Sequence, residues 1–149
     1  MFNRKTSVGH LANWSARLFS RLVDRRLRPL GISSGHITVL LTLEDGVRYQ
    51  QKALLEHSAA EQSALAATLQ RMEKSGLVLR ERDPKDGRAS LFSLSAEGAG
   101  IMDQLHEVLE EGNAIALNGF SEEEKSALIA SLRRIIDNIQ AHLGVPDRG

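Results

Sequence analysis

The chain has 149 residues, no cysteine, and 19 Lys or Arg against 19 Asp or Glu. This length fits one domain with its own core, and the lack of cysteine excludes disulfides, thiolate metal sites and thiol redox sensing. No apolar run approaches the roughly 18 residues of a membrane span, and charged residues interrupt any signal-like N-terminal segment. We therefore expect a cytoplasmic protein without a membrane partner, a metal or another cofactor.

The charges are unevenly distributed along the chain. Residues 1–30 hold seven basic residues and one acid, residues 31–94 hold eight of each, and residues 95–149 hold four basic residues and ten acids. If the two ends pack together, their charges partly cancel, and the central segment presents its own cations locally. Neutrality lowers the expectation of strong non-specific DNA binding, but it is compatible with a specific site.

The spacing of apolar residues predicts six helices in chain order, at residues 7–27, 33–43, 50–57, 61–74, 95–115 and 121–139. Ser7, Ser95 and Ser121 are placed to cap the first, fifth and sixth of them, and Gly76 supplies a left-handed cap after the fourth. Two strands, at residues 77–82 and 89–94, flank a loop whose residues all favour turns. The pattern predicts a mostly α-helical fold with a small β-hairpin wing, an α+β class.

The order of these elements predicts one protomer with two functional parts. Residues 33–94 form a winged helix–turn–helix lobe, and residues 7–30 and 95–143 form helices that hold the protomer to a partner. The wide apolar arc of the last helix is explained either by dimerisation or by packing onto the long fifth helix. We favour the dimer, and the residues expected in its interface are Leu11, Leu128, Leu132, Ile135, Ile136 and Ile139.

The fourth helix has one apolar face, so its other face is a candidate DNA-reading surface. Leu65, Leu69 and Met72 fall on one side at helical spacing. The opposite side and its shoulder carry short or polar residues, namely Ser63, Ala67, Gln70, Arg71 and Lys74. Glutamine reads an adenine edge, alanine contacts a thymine methyl, and serine and the cations reach phosphates. The alternative is an ordinary solvated helix face.

The hairpin after this helix, Arg82-Asp83-Pro84-Lys85-Asp86-Gly87-Arg88, carries cations at its tip. A guanidinium in a narrow minor groove meets enhanced negative potential, so Arg88 is the candidate minor-groove residue. Asp86 lies two residues before Arg88 and is expected to hold that guanidinium in place. Arg82 and Lys85 are candidate phosphate contacts. The alternative for each cation is a solubilising surface charge.

At these residues the chain resembles the multiple-antibiotic-resistance regulator (MarR) family of winged helix–turn–helix transcription factors. The resemblance rests on residues 69–78, on the wing at residues 83–89 with its D-x-R pattern, and on residues 92–98 leading into the long helix. It implies a homodimeric repressor that binds a pseudo-palindromic DNA site, with half-sites on the order of 10 bp apart. It also implies release from DNA by a small, aromatic or anionic effector. Many relatives carry an arginine or a hydroxyl residue where this chain has Ala66 and Ala67, which shifts specificity towards DNA shape.

By the same resemblance, an effector pocket lies between the dimer helices and the winged lobe. Its candidate residues are Trp14, Arg17 and His36, with the indole facing a ring and the arginine binding a carboxylate. The alternatives are that Trp14 belongs to the core and that His36 is a capping or surface residue.

Enzyme readings are disfavoured, and no catalytic residue is predicted. Residues 31–35 match G-x-S-x-G, but that motif requires a preceding strand and a parallel sheet. We therefore expect a DNA-binding transcriptional regulator. The alternative is a winged-helix adaptor that binds another protein through the same face.

Overall fold

The computed structural model describes residues 3–144. The helices are α1 Val8–Leu27, α2 Ile37–Leu43, α3 Gln51–Glu56, α4 Gln62–Lys74, α5 Ala96–Gly100, α6 Met102–Ala116 and α7 Glu122–Leu143, and the strands are β1 Tyr49–Gln50, β2 Val78–Arg82 and β3 Ser90–Leu94. The strands form an antiparallel sheet in the order β1-β3-β2. The predicted class, mostly helical with a small β-hairpin wing, is confirmed.

Two features of the secondary structure differ from the prediction. Strand β1 was missed because two residues are too short to show the alternation that marks a strand; it pairs Tyr49 with Phe92 and Gln50 with Leu91. The predicted fifth helix is divided at Ile101 into α5 and α6. Glycines make up two of the five residues of α5, and their low helix propensity weakens the helix before this break.

The predicted helix caps are formed. The Ser7 side chain accepts a hydrogen bond from the backbone N–H of His10. Ser121 and Glu124 make a reciprocal capping box, in which the Glu124 carboxylate accepts from Ser121 N at 2.8 Å and the Ser121 hydroxyl accepts from Glu124 N at 3.2 Å. Gly76 follows α4 with φ of 79°, the left-handed conformation that glycine adopts without strain.

The core joins the winged lobe to the neighbouring ends of α1 and α6. Its buried apolar residues are Val23, Leu27, Ile32, Val39, Leu40, Leu43, Leu54, Leu65, Leu69, Met72, Leu77, Val78, Phe92, Met102, Leu105 and Val108. The C-terminal half of α1 packs against α6, where Arg26 and Glu111 also form a salt bridge of 2.7 Å. The lobe is therefore held against these two helices by continuous apolar packing.

A close backbone approach at Gly98 sets the position of α5 under the sheet. A Cβ atom at Gly98 would lie 2.1 Å from the carbonyl oxygen of Leu77, so only glycine fits there without a shift. Ser95 reinforces the approach, because its hydroxyl donates to Gly76 O at 2.5 Å and accepts from Gly98 N at 2.9 Å. This contact fixes the exit from the sheet into the helices that follow.

The last helix has no buried residue within the protomer. Leu11, Leu132, Ile136 and Ile139 are exposed, while Leu128 and Ile135 are half-buried. Other large apolar side chains on α1 and near the chain end are also exposed, namely Val8, Trp14, Leu18, Phe19, Ile115, Phe120, Ile129 and Leu143. Packing of α7 onto α6 within the chain therefore does not cover its apolar arc, and we call the exposed apolar faces of α1 and α7 the terminal-helix surface. No helix within residues 3–144 is long and apolar enough to cross a membrane.

Candidate nucleic-acid interface

The two faces of α4 are arranged as its apolar spacing predicts. Leu65, Leu69 and Met72 are buried in the core. On the opposite side Ser63, Gln70 and Lys74 are exposed, and their side chains make no hydrogen bond or ion pair with any residue in the described part of the chain. Ala67 lies on the same side and is half-buried. This face of α4 thus offers unsatisfied hydrogen-bond donors and acceptors, and an α-helix has the width that a DNA major groove admits.

Arg71 lies on the shoulder of this face. Its guanidinium donates to the Thr68 hydroxyl at 3.1 Å, one turn earlier on the same helix. No acidic residue within residues 3–144 pairs with it. Arg71 is therefore a cation that remains available for a phosphate.

The wing loop is closed by main-chain bonds, Asp83 N to Ala89 O at 3.0 Å and Ala89 N to Asp86 O at 2.9 Å. Arg88 is exposed, and its guanidinium makes no hydrogen bond or ion pair with the residues that the structure describes. The predicted Asp86–Arg88 side-chain pair is wrong. The Asp86 carboxylate accepts instead from the backbone N–H of Arg88 at 3.1 Å, because a short acidic side chain in a tight turn reaches the main chain first.

Two arginines of the hairpin stabilise the hairpin itself. The Arg82 guanidinium donates to the carbonyl of Gly87 at 2.8 Å, across the wing loop. Arg80 donates to the Ser90 hydroxyl at 2.9 Å and lies over the ring of Phe92, 5.8 Å from its centre. Lys85 and Arg88 are consequently the wing cations without such contacts. In Arg82 the Nε–H is used by the hairpin, so the prediction that Arg82 binds phosphate applies only to its two terminal NH2 groups.

Asp83 is a functional candidate that the sequence did not indicate. It is 6% exposed, accepts from the Gln50 side-chain amide at 2.5 Å, and accepts from the backbone N–H of Lys85 at 2.8 Å. These donors stabilise the carboxylate, so the pKa of Asp83 lies below its ordinary value, with the Gln50 bond as the largest cause. An Asp-Pro turn gives a local signal for the Lys85 bond, but no local signal indicates a partner 33 residues away.

The three predicted effector residues do not meet at one place. Trp14 and Arg17 line a shallow depression on α1, and the rings of His10 and Trp14 pack edge to face, 5.8 Å apart. Trp14 is 56% exposed, so its assignment to the core of the protomer is wrong. His36 lies near Asp24, and ten residues of helix separate Asp24 from Trp14, about 15 Å along the axis. Within one protomer His36 is therefore remote from Trp14, and a shared effector pocket for the three residues stays a prediction.

His36 belongs to the junction between α1 and the lobe. Its Nδ1 accepts from Ser33 N at 3.4 Å, and the neighbouring Ser34 N donates to the Asp24 carboxylate at 2.6 Å. Burial lowers the pKa of His36 most, the nearby Arg71 lowers it further, and Asp24 acts in the opposite direction. The neutral ring is thus the form that fits this junction.

The comparisons with known proteins bear on these elements together. The family model described as the MarR family matches residues 32–90, from the turn before α2 to the start of β3. Residues 32–90 form a MarR-family domain. This region contains α4 and the wing, so both halves of the candidate interface belong to it.

Solved structures of transcriptional regulators and of other DNA-binding proteins match the chain well beyond this domain. A probable transcriptional regulator from Pseudomonas aeruginosa is 25% identical, with 89% of this chain and 99% of that chain covered and a TM-score of 0.81. A variant of MarR from E. coli complexed with operator DNA is 24% identical, with 91% and 97% covered and a TM-score of 0.81. BpsR from Bordetella bronchiseptica, whose DNA binding is regulated by 6-hydroxynicotinic acid, is 19% identical, with 92% and 98% covered and a TM-score of 0.83. The last two likenesses, at 24% and 19% identity, show the fold alone.

The MarR fold accounts for the motif at residues 31–35. This segment follows helix α1 through a short 3-10 turn, and Gly31 adopts φ of 73° as the left-handed residue that ends the turn. A nucleophile elbow requires a strand at that point. Within residues 3–144 no group of three or more His, Cys, Asp or Glu side chains is placed to hold a metal ion.

Proposed function

We propose that this protein is a sequence-specific DNA-binding transcriptional regulator that acts as a homodimer on a pseudo-palindromic operator. The observation that carries the proposal is the pairing of two unsatisfied surfaces, the polar face of α4 and the unpaired Arg88 of the wing. A helix fits the major groove, and an arginine fits the adjacent narrow minor groove. The structural likeness to E. coli MarR in complex with operator DNA supports the same use of this face.

The proposal of a homodimer rests on the terminal-helix surface. Large apolar residues are exposed along both α1 and α7, and extended exposed apolar surface marks a site of protein association. A two-fold axis through this surface buries Leu11, Leu132, Ile136 and Ile139 against their copies. It also duplicates the lobe, so the DNA site has two half-sites on the order of 10 bp apart.

We further propose that the protein is a repressor that a small aromatic anion releases from DNA. Trp14 supplies a ring face and Arg17 a cation in the same depression of α1, which suits an aromatic carboxylate. The regulation of BpsR by 6-hydroxynicotinic acid, an aromatic carboxylic acid, supports this chemical class. A regulator of this kind is expected to act in the cytoplasm, where it can reach DNA.

DNA binding is tested by selecting binding sites from a pool of random duplexes with the full-length protein and then titrating a selected site at two salt concentrations. A DNA-binding protein loses affinity steeply as salt rises, since each phosphate contact releases a counterion. Arg88→Ala is expected to weaken binding by about 1–3 kcal/mol, and Arg133→Ala, an exposed arginine of α7, serves as the matched control. A protein-binding adaptor predicts no selected site and no salt-dependent binding.

The effector proposal has a direct optical test, because Trp14 is the only tryptophan in the chain. Benzoate is expected to change its fluorescence and to weaken DNA binding, whereas benzyl alcohol, which lacks the carboxylate, has a much smaller effect. Arg17→Ala is expected to abolish the response to benzoate. An equal response of the wild type and this variant would place the anion elsewhere.

A further inference from the structure

At the base of the wing, a side-chain hydrogen bond joins the wing loop to the helix–turn–helix. Asp83 follows β2, Gln50 lies on β1, and these strands flank β3 on opposite sides. Gln50 is also the N-cap residue directly before α3, and α3 leads through a short turn into α4. The 2.5 Å bond between the Gln50 amide and the Asp83 carboxylate therefore connects the loop that carries Arg88 to the start of α3. Through α3 it is connected to α4, which carries Gln70.

An aspartate at this place needs an explanation, because a carboxylate beside DNA repels phosphate. Asp83 does not face solvent, since it is 6% exposed and both of its oxygens accept hydrogen bonds from neutral N–H donors. No cation forms an ion pair with it within residues 3–144. The charge of the nearby Lys85 also favours the carboxylate, but less than the hydrogen bonds from Gln50 and Lys85 N do. A buried carboxylate held mainly by neutral donors depends on their geometry, because loss of a donor leaves one of its oxygens unsatisfied.

We propose that Asp83 and Gln50 are a positioning pair that fixes the wing relative to α4, so that Arg88 and Gln70 reach their grooves in one register. This inference rests on the proposed function. Neither residue of the pair contacts DNA; the pair acts through Arg88. The Arg82–Gly87 bond of 2.8 Å braces the tip of the same loop. A loop that is already fixed before binding loses less conformational entropy when it contacts DNA, so the entropic cost of binding is lower.

Loss of the Asp83 carboxylate is expected to change DNA affinity in the direction opposite to that expected from charge alone. Removal of a negative charge near phosphate strengthens DNA binding, and Asp83→Asn or Asp83→Ala would do so if Asp83 were only an acidic surface residue. If Asp83 positions the wing, both variants weaken binding instead. Gln50→Ala, which leaves the charge unchanged, weakens it to a similar extent, and the double variant Asp83→Ala/Gln50→Ala is no weaker than Asp83→Ala alone.

The deciding experiment combines each variant with the loss of a DNA contact, using the full-length protein and a selected duplex. In the wild-type background Arg88→Ala is expected to lower affinity roughly tenfold or more. In the Asp83→Ala background the same change is expected to lower it less than about threefold, because the wing no longer places Arg88 in its groove. Gln70→Ala is the matched control, and its effect is expected to be the same in both backgrounds, since α4 is held by the core.

The outcomes separate the two proposals. If the wild type binds no duplex, the proposed function fails. If the wild type binds and Arg88→Ala weakens it, but the effects of Arg88→Ala and Asp83→Ala multiply independently, only the positioning pair is overturned. Tighter binding by Asp83→Asn overturns it as well. If Asp83→Ala does not fold, as judged by circular dichroism and thermal unfolding, the same cycle with Gln50→Ala gives the decision.

Discussion

Replacement of Ile136 by alanine is expected to weaken the dimer that the terminal-helix surface implies. Full burial of an isoleucine side chain contributes about 1.5–3 kcal/mol. Ile136 is 53% exposed in the protomer. Burial of this exposed half by the partner protomer therefore contributes about half of that free energy. This is about 1 kcal/mol per protomer and about 2 kcal/mol for a symmetric pair, which corresponds to a roughly 30-fold rise in the dimer dissociation constant.

Sedimentation equilibrium over a range of protein concentrations measures this constant, and subunit exchange between differently labelled proteins extends the range if the dimer is very tight. Leu79→Ala is the matched control, because Leu79 on β2 is 51% exposed and lies outside the terminal-helix surface. Its dimer constant is expected to equal that of the wild type. A monomeric wild type, an unchanged constant for Ile136→Ala, or an equal loss for Leu79→Ala would refute the assignment of this surface.

Three further predictions concern the reading helix, the close approach at Gly98 and the pH dependence of stability. Gln70→Ala is expected to change the ranking of sites recovered from random duplexes, whereas Lys74→Ala lowers the affinity for all of them equally and reduces the salt slope by about 1; a uniform loss for Gln70→Ala would make it a positioning contact. Gly98→Ala is expected to destabilise the fold by about 1–3 kcal/mol because its Cβ meets the Leu77 carbonyl. Gly100→Ala in the same helix meets nothing within 4 Å and is expected to leave thermal unfolding unchanged or raise its midpoint. Folding lowers the pKa of His36, so the unfolded chain takes up the proton first as the pH falls. The contribution of His36 to the free energy of unfolding is therefore complete above the unfolded pKa of about 6.5, and it is lost as the pH drops through the pKa of the folded state. His36→Gln is expected to lose less stability between pH 7.5 and 5 in urea titrations, and an equal loss would remove His36 from the explanation.

The parts of the fold that could be predicted are those that local sequence determines. The apolar period of α4 gave its buried face correctly, because Leu65, Leu69 and Met72 repeat at the spacing of one helical face. Ser7 and Ser121 marked helix starts because a short hydroxyl side chain satisfies free N–H groups at that one position. These signals need no knowledge of distant residues.

The parts that could not be predicted depend on contacts between distant segments. Strand β1 exists only because β3 offers it a partner. His36 lies at the α1 junction, where Ser33 N donates to its ring and Ser34 N donates to Asp24, and the sequence alone does not show which helix end it meets. Asp86 shows a different limit, since both the main chain and Arg88 were within its reach, and only the geometry of the turn decides between them.

The zero net charge of the chain is compatible with DNA binding because the acids are used elsewhere. The acid-rich α6 packs against the base-rich α1, where Glu111 pairs with Arg26. In the lobe, Glu81 pairs with Arg48, and Asp83 is buried and turned inward. Arg71, Lys74, Lys85 and Arg88, on α4 and the wing, are among the cations without an acidic partner in the described part of the chain. The counterions released on binding should reflect these few side chains rather than the net charge of the chain.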